Sequence, residues 1–241
     1  MINVHSYESL GTYDGPGIRL VVFLQGCNFR CAYCANPDTI TYEGGTSTDP
    51  EEILRKAVSE KPFFGQKGGI TFSGGEPTLQ AKALAPLFKK LREEGIHICV
   101  DTNGSLLNSE VKELFSLTDL VLLDVKEFNP DRHLLLTQRE NRQTIRTAEW
   151  LEENRIPVWL RYVLLPGYSD PEEDIIALCE HFKSFKAIRR IEILPYHTLG
   201  VHKYEALGIP YPLDGVKQNT PEQLERAKDL FLHYFPEVRV N

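Results

Sequence analysis

A short apolar run followed by an amphipathic stretch recurs six times along the chain, and this alternation restricts its possible folds more than any other feature. The runs are "IRLVVFLQG" (18–26), "GGITFSGG" (68–75), "IHICVD" (96–101), "DLVLLDVK" (119–126), "PVWLRYVLL" (157–165) and "RRIEILPYH" (190–197). Each is β-branched or leucine-rich and is bounded by Gly, Pro or polar residues, as buried strands are. Helical patterns occupy 49–60, 79–93, 108–116, 140–155, 171–185 and 220–234. The segments "TDPEE" and "SDPEED" put a proline and acids where a helix begins. Strands that alternate with helices imply a parallel sheet with helices outside it. Periodicity alone leaves an open doubly wound sheet and an incomplete barrel both possible. The polar residues favour the barrel: "GGE", "DTN", "DVK" and "PYH" all fall at C-terminal strand ends, where the loops of a β/α barrel converge. The expectation is an α/β chain forming a single domain over 1–241, a partial (β/α)6 TIM-type barrel.

The 241 residues carry a net charge of −7 without a basic run, which argues against nucleic acid as a partner. No stretch approaches the roughly 20 apolar residues that span a bilayer, and "MINVHSYESLG" lacks a signal-like apolar core. A cytoplasmic location without membrane partners is therefore expected, and there clustered thiols bind metal more often than they form disulfides.

Three of the five cysteines stand in "QGCNFRCAYCANPD" (25–38), as Cys27, Cys31 and Cys34. Structural zinc wants four ligands, usually from paired CxxC units, and the second pair is missing here. A histidine folding back, such as His5, His97 or His197, would complete such a site. Three close thiolates also suit a four-iron cubane with one iron left open to a small molecule. Cys99 and Cys179 sit alone in apolar surroundings and read as packing residues.

Other polar positions have ordinary readings as well. Gly74, Gly75 and Glu76 form a turn signal before Pro77. Asp101 with Thr102, and Asp124 with Lys126, fit caps and surface ion pairs. Two aspartates converging on one site would repel, and Lys126 relieves part of that. Arg161 is suited to a bidentate carboxylate contact.

The triplet, with Tyr33 before its last cysteine, resembles the signature of the radical S-adenosylmethionine (SAM) superfamily, and "SGGE" resembles a second element of it. The resemblance implies a [4Fe-4S] cluster on Cys27, Cys31 and Cys34, its open iron chelated by SAM. It places Gly74, Gly75 and Glu76 at the SAM ammonium, with Asp124, Val125, Lys126, Arg161 and His197 around the rest of the cofactor. Backbone of Tyr33, Cys34 and Ala35 would meet the adenine. A monovalent cation on Asp101, Thr102 and Asp124 would offset the crowded carboxylates. Ala35 departs from the histidine that relatives commonly carry there, so a side-chain role at that position is lost.

The lead "SYESLGTYDGPGIR", containing Asp14, Gly15, Pro16, Gly17 and Arg19, is similar to that of the glycyl-radical-enzyme activating enzymes. "GIHICVDTNG", "LVLLDVK", "VWLRYVLLPGYSD" and "ILPYHTLGVHKYEALG" continue the likeness over nearly the whole chain. It implies reductive cleavage of SAM and removal of a hydrogen atom from a backbone glycine of a partner glycyl radical enzyme. Pyruvate formate-lyase is the expected partner, enzymes acting on diols or choline are alternatives, and flavodoxin or ferredoxin is the expected electron donor. Between Cys34 and Gly74 there is no cysteine, which excludes the ferredoxin-like insertion of some relatives. Asp14 is expected to hold the incoming glycine loop. The Pro/Gly-rich segment 198–219 is expected to serve as a lid or docking loop. Its Tyr204 and Tyr211 would pack on the partner or cover the barrel.

Overall fold

All six apolar runs form strands, and three further strands flank them. The computed structural model describes residues 1–241. In chain order the elements are β1 (Ile2–Gly11), β2 (Arg19–Leu24), β3 (Thr46–Thr48), α1 (Pro50–Phe64), β4 (Gly69–Gly74), α2 (Ala81–Glu93), β5 (His97–Thr102), α3 (Ser109–Ser116) and β6 (Leu120–Asp124). There follow α4 (Pro130–Thr137), α5 (Arg142–Glu153), β7 (Val158–Leu164), α6 (Glu172–Phe182), β8 (Ile188–Pro195), α7 (Val201–Leu207), α8 (Pro221–Leu232) and β9 (Val238–Val240). The fold is α/β, with a mostly parallel, open sheet. No helix is long and apolar enough to cross a membrane. Two compact units divide the chain: Met1–Asn28 with Thr39–Leu122, and Phe29–Asp38 with Leu123–Asn241.

In the first unit the strand order is β3-β1-β2-β4-β5. β1 runs antiparallel to both neighbours, while β2, β4 and β5 are parallel. Val21 lies level with Thr71 and Thr71 with Cys99; Arg19 lies level with Gly69 and Gly69 with His97. Because side chains alternate along a strand, Arg19, Thr71, Ser73, His97, Cys99 and Asp101 share one face. Leu20, Val22, Leu24, Ile70, Phe72, Ile98 and Val100 share the other and are all fully buried. Helices cover that apolar face; Phe88 of α2 meets Phe72 with ring centroids 4.8 Å apart.

Arg19 has no solvent exposure and organises the polar face. Its guanidinium donates to Thr71 Oγ1 (2.5 Å), Pro16 O (2.9 Å), Ile70 O (2.6 Å) and His97 O (3.1 Å). Thr71 Oγ1 in turn donates to Asp14 O at 2.6 Å. The "DGPG" turn is thereby tied to the polar face of β4, one residue pair below Ser73.

In the second unit β7, β8 and β9 run parallel in that order. Tyr162 faces the helices: its ring meets Phe231 of α8 edge-on at 5.7 Å and its hydroxyl donates to Ser169 O at 2.7 Å. Trp159 and Arg161 occupy the opposite face. The Arg190 guanidinium lies 3.6 Å above the Trp159 ring, and Arg161 pairs with Glu192 at 3.1 Å, both buried.

The segment 198–219 is not all loop. It contains helix α7, ended by Gly208 at φ +67°. Tyr204 is 5% exposed, and the Tyr211 hydroxyl lies 2.8 Å from that of Tyr196. Both rings pack within their own unit, the second of the two settings expected for them. The helix escaped the pattern because seven residues span only about two turns.

Arg19→Met removes four hydrogen bonds to buried acceptors. It should cost about 3 kcal/mol, a fall in Tm of roughly 6–12 °C for a chain of this size. A melting temperature equal to that of the parent chain would show that the turn does not depend on this latch.

Candidate functional site

The unit boundary runs through the cysteine loop, so Cys27 belongs to the first unit and Cys31 and Cys34 to the second. None of the three is in a disulfide and all are half-buried, whereas Cys99 and Cys179 are fully buried.

In the first unit the loop continues from β2 and is held by backbone. Gly26 N donates to Thr39 O (2.8 Å), Cys27 N to Ile40 O (3.0 Å), and Glu76 N to Gly26 O (2.8 Å). A Cβ on Gly75 would stand 2.1 Å from Gly26 O, and one on Gly74 would stand 2.4 Å from Leu24 N. Gly75 is therefore required by the approach of the β4 end to the cysteine loop, and Gly74 by its approach to the end of β2. Asn28 accepts from Asn103 Nδ2 at 3.0 Å and donates to Ser105 at 2.7 Å, which ties the same loop to the end of β5.

Glu76 joins these two strand ends. Its carboxylate, 1% exposed, accepts from Thr78 N (3.0 Å), Thr78 Oγ1 (2.6 Å), Thr102 Oγ1 (2.7 Å) and Asn103 N (2.8 Å). Burial pushes its pKa up against those four donors. Oε1 takes three of these donors and Oε2 one, so the carboxylate fixes the two strand ends. Thr102 Oγ1 also accepts from Gly104 N at 3.0 Å. Asp101 accepts from Ser73 Oγ at 2.7 Å on the polar face.

In the second unit the loop is held by α4: Arg30 N donates to Thr137 O (3.0 Å) and Ala32 N to Leu136 O (2.8 Å). Lys126 lies 2.6 Å from Asp124 and 5.8 Å from the centroid of the Tyr33 ring. Burial opposes the charge on Lys126, but Asp124 outweighs it and holds the pKa well above the lysine range. Burial also pushes the Tyr33 phenol and the Cys34 thiol up. The Tyr33 hydroxyl is buried without a hydrogen-bond partner, which is unusual for a phenol.

The remaining expected residues have other settings. Val125 is buried and its N–H donates to Arg161 O at 3.0 Å, so only its backbone faces polar groups. Arg161 is engaged with Glu192, so a contact to a bound carboxylate is not its sole role. His197 is exposed, and its Nδ1 accepts from Leu199 N at 3.3 Å.

Sequence reasoning missed Glu127. Its carboxylate accepts from Phe128 N (2.5 Å) and Asn129 N (3.0 Å) and lies 3.2 Å from the Tyr162 hydroxyl that donates to Ser169 O, and burial pushes its pKa up to about 7. An acid directly after "DVK" was the available signal. Arg19 appeared only as part of the lead motif, and its latch required the register.

The family model described as the radical SAM superfamily matches residues 21–179. The chain is 47% identical over 235 residues to the pyruvate formate-lyase-activating enzyme of Streptococcus mutans, covering 94% of this chain and 89% of that one. It is 42% identical over 234 residues to the pyruvate formate-lyase 1-activating enzyme of Escherichia coli, covering 96% and 95%. Among solved structures, a domain of a pyruvate-formate lyase-activating enzyme from Bacteroides vulgatus aligns with a TM-score of 0.61 at 24% identity, over 72% of this chain and 99% of that one. SuiB of Streptococcus suis, bound to its precursor peptide SuiA, aligns with a TM-score of 0.70 at 18% identity, over 93% of this chain and 49% of that one. At such identities the two structures speak for the fold alone.

Glu76→Gln puts an amide N–H₂ where donors already point. It should lower stability by about 2 kcal/mol and speed hydrogen exchange at the Thr78 and Asn103 amides. Unchanged protection at both amides would show that the carboxylate does not hold the two strand ends together.

Proposed function

Since the chain belongs to the radical SAM superfamily and, within it, to the pyruvate formate-lyase-activating enzymes, we propose that it installs a glycyl radical on pyruvate formate-lyase, using an iron–sulfur cluster and SAM. The observation that carries this reading is the set of three half-buried thiols on one loop, none in a disulfide, with the loop held by the Gly74–Glu76 turn near Cys27 and by α4 beyond it.

The residues fit the implied groups. Three sulfur donors suit an iron–sulfur cluster better than a hard cation. Burial disfavours a bare Cys34 thiolate, and iron would restore it. The buried, unpartnered Tyr33 hydroxyl on the cysteine loop and the Lys126 ammonium over its ring, just after β6, are groups that a polar cofactor would meet. Cys27, Cys31 and Cys34 would hold a [4Fe-4S] cluster. Backbone at Gly74 and Gly75, backbone at Tyr33–Ala35, and Asp124, Val125, Lys126, Arg161 and His197 would line the SAM site.

When bound, the cluster would supply the electron that cleaves SAM to a 5′-deoxyadenosyl radical, which takes a hydrogen atom from the partner glycine; flavodoxin or ferredoxin is the reductant in this reading. The chain's own residues orient and shield. Glu76 acts through the loops it joins. Lys126 neutralises Asp124, and a monovalent cation shared by Asp101, Thr102 and Asp124 would offset the remaining negative charge. Arg19 and Thr71 anchor the backbone of the "DGPG" turn, so that Asp14 is presented at a set height on the polar face to hold the glycine segment. Such orientation of reacting groups is a large part of catalysis by cofactor enzymes.

Anaerobic mixing of the reconstituted protein with reductant, SAM and purified pyruvate formate-lyase should produce a glycyl doublet by electron paramagnetic resonance, together with pyruvate-cleaving activity. A brown, SAM-cleaving protein that gives no doublet would refute the assigned partner, and a colourless zinc protein would refute the chemistry. Asp14→Ala should keep SAM cleavage while the radical yield on the partner falls roughly tenfold to a hundredfold; equal loss of both would contradict the role of Asp14.

A further inference from the structure

One face of α7 is given over to the cysteine loop. Gly200, Lys203 and Tyr204 stand at i, i+3 and i+4, the spacing that brings side chains to the same side of a helix. All three meet the turn Cys34–Asp38. The Tyr204 hydroxyl donates to Cys34 O at 3.1 Å. Lys203 Nζ lies 2.8 Å from Asn36 Oδ1 and 3.1 Å from Asp38 Oδ1. A Cβ on Gly200 would come within 2.7 Å of Ala35 Cα, so the helix start lies directly against that backbone. The phenol is itself held in place: its ring meets Tyr211 edge-on at 5.0 Å, and Tyr211 meets the Tyr196 hydroxyl at 2.8 Å. Leu136, Leu165, Tyr196 and Leu213 form the apolar cluster beneath, and Ala32 and Tyr33 of the loop pack on it.

We propose that Tyr204 and Lys203 are positioning residues that latch the Cys34–Asp38 turn and so set the direction of the third cluster ligand. The proposal rests on the reading of the triplet as the cluster site. The Cys34 carbonyl and the Cys34 side chain leave the same Cα. Fixing the peptide plane on one side of that atom narrows the directions open to the sulfur on the other. The latch consists of neutral and charged contacts from one helix to one turn. Preorganised ligands of this kind keep a metal group by making the first step of ligand loss unfavourable.

The test uses the full chain with its cluster reconstituted anaerobically. It measures the rate of iron release to a chelator, the electron paramagnetic resonance spectrum of the reduced cluster, and the melting of the cluster-free protein. Tyr204→Phe keeps the ring and removes the hydrogen bond, and Lys203→Met keeps the stem and removes the charge. Each should release iron roughly two- to tenfold faster, the effect of one lost hydrogen bond, and should broaden the reduced spectrum. Lys203→Arg should restore the parent rate. Glu205→Gln, a change at an exposed position of the same helix, should release iron at the parent rate, and without cluster all the variants should melt within the roughly 1–6 °C that one hydrogen bond is worth. Parent rates and spectra in both Tyr204→Phe and Lys203→Met would overturn the latch, as would equal acceleration in Glu205→Gln. Parent protein that takes up no iron would instead refute the cluster reading on which the latch rests.

Discussion

The cysteine loop cannot hold its own shape, and the rest of the site depends on how the protein supplies that shape. A loop of this length forms no ladder of its own. Its buried N–H and C=O groups need partners elsewhere, because leaving them unpaired is costly. They find them at strand and helix ends: Thr39, Ile40 and Glu76 for the part carrying Cys27, and Leu136, Thr137 and Tyr204 for the part carrying Cys31 and Cys34. Backbone contacts tolerate changes of side chain. Position 35 therefore needs no particular side chain to keep the turn, since the contact to Gly200 is made by the Ala35 main chain.

A second constraint is the treatment of buried charge. Ions removed from water are tolerated only with close partners, and each unit supplies them. Arg19 is met by three backbone carbonyls and the Thr71 hydroxyl, Glu76 by four donors, Arg161 by Glu192, and Lys126 by Asp124. Such pairs hold strand ends in fixed positions, which is what a site assembled from many separate strands needs. The polar face of β4 and β5 then carries Thr71 next to the "DGPG" turn and, one step above it, Ser73 level with Asp101.

Much of the architecture was legible because six strands are apolar on their helix-covered face and end in glycine or polar residues. β1 was missed because its "VHSYES" stretch is polar and lies beside only part of the core, and β3 and β9 because three residues carry too little period to detect. α4 and α7 were too short for the helical repeat to appear above the pattern of a connection.

What the order of residues determined alone was the chemistry on offer: thiols at a spacing that only a shared metal group explains, paired glycines next to an acid, and charged residues at the C-terminal ends of strands. These are local properties of composition and interval. What only the tertiary structure decided was the use of each group. Glu76 reads as an acid beside a bound ammonium, and the fold adds that its oxygens tie together Thr78, Thr102 and Asn103. Arg19 reads as one letter of a motif until the strand register brings Ile70 and His97 to its guanidinium. Tyr204 reads as meeting a partner or covering the barrel, and the fold adds its hydroxyl on Cys34 O. Hydrogen bonds join residues that are distant in the chain, and no local pattern records which donor will reach which acceptor.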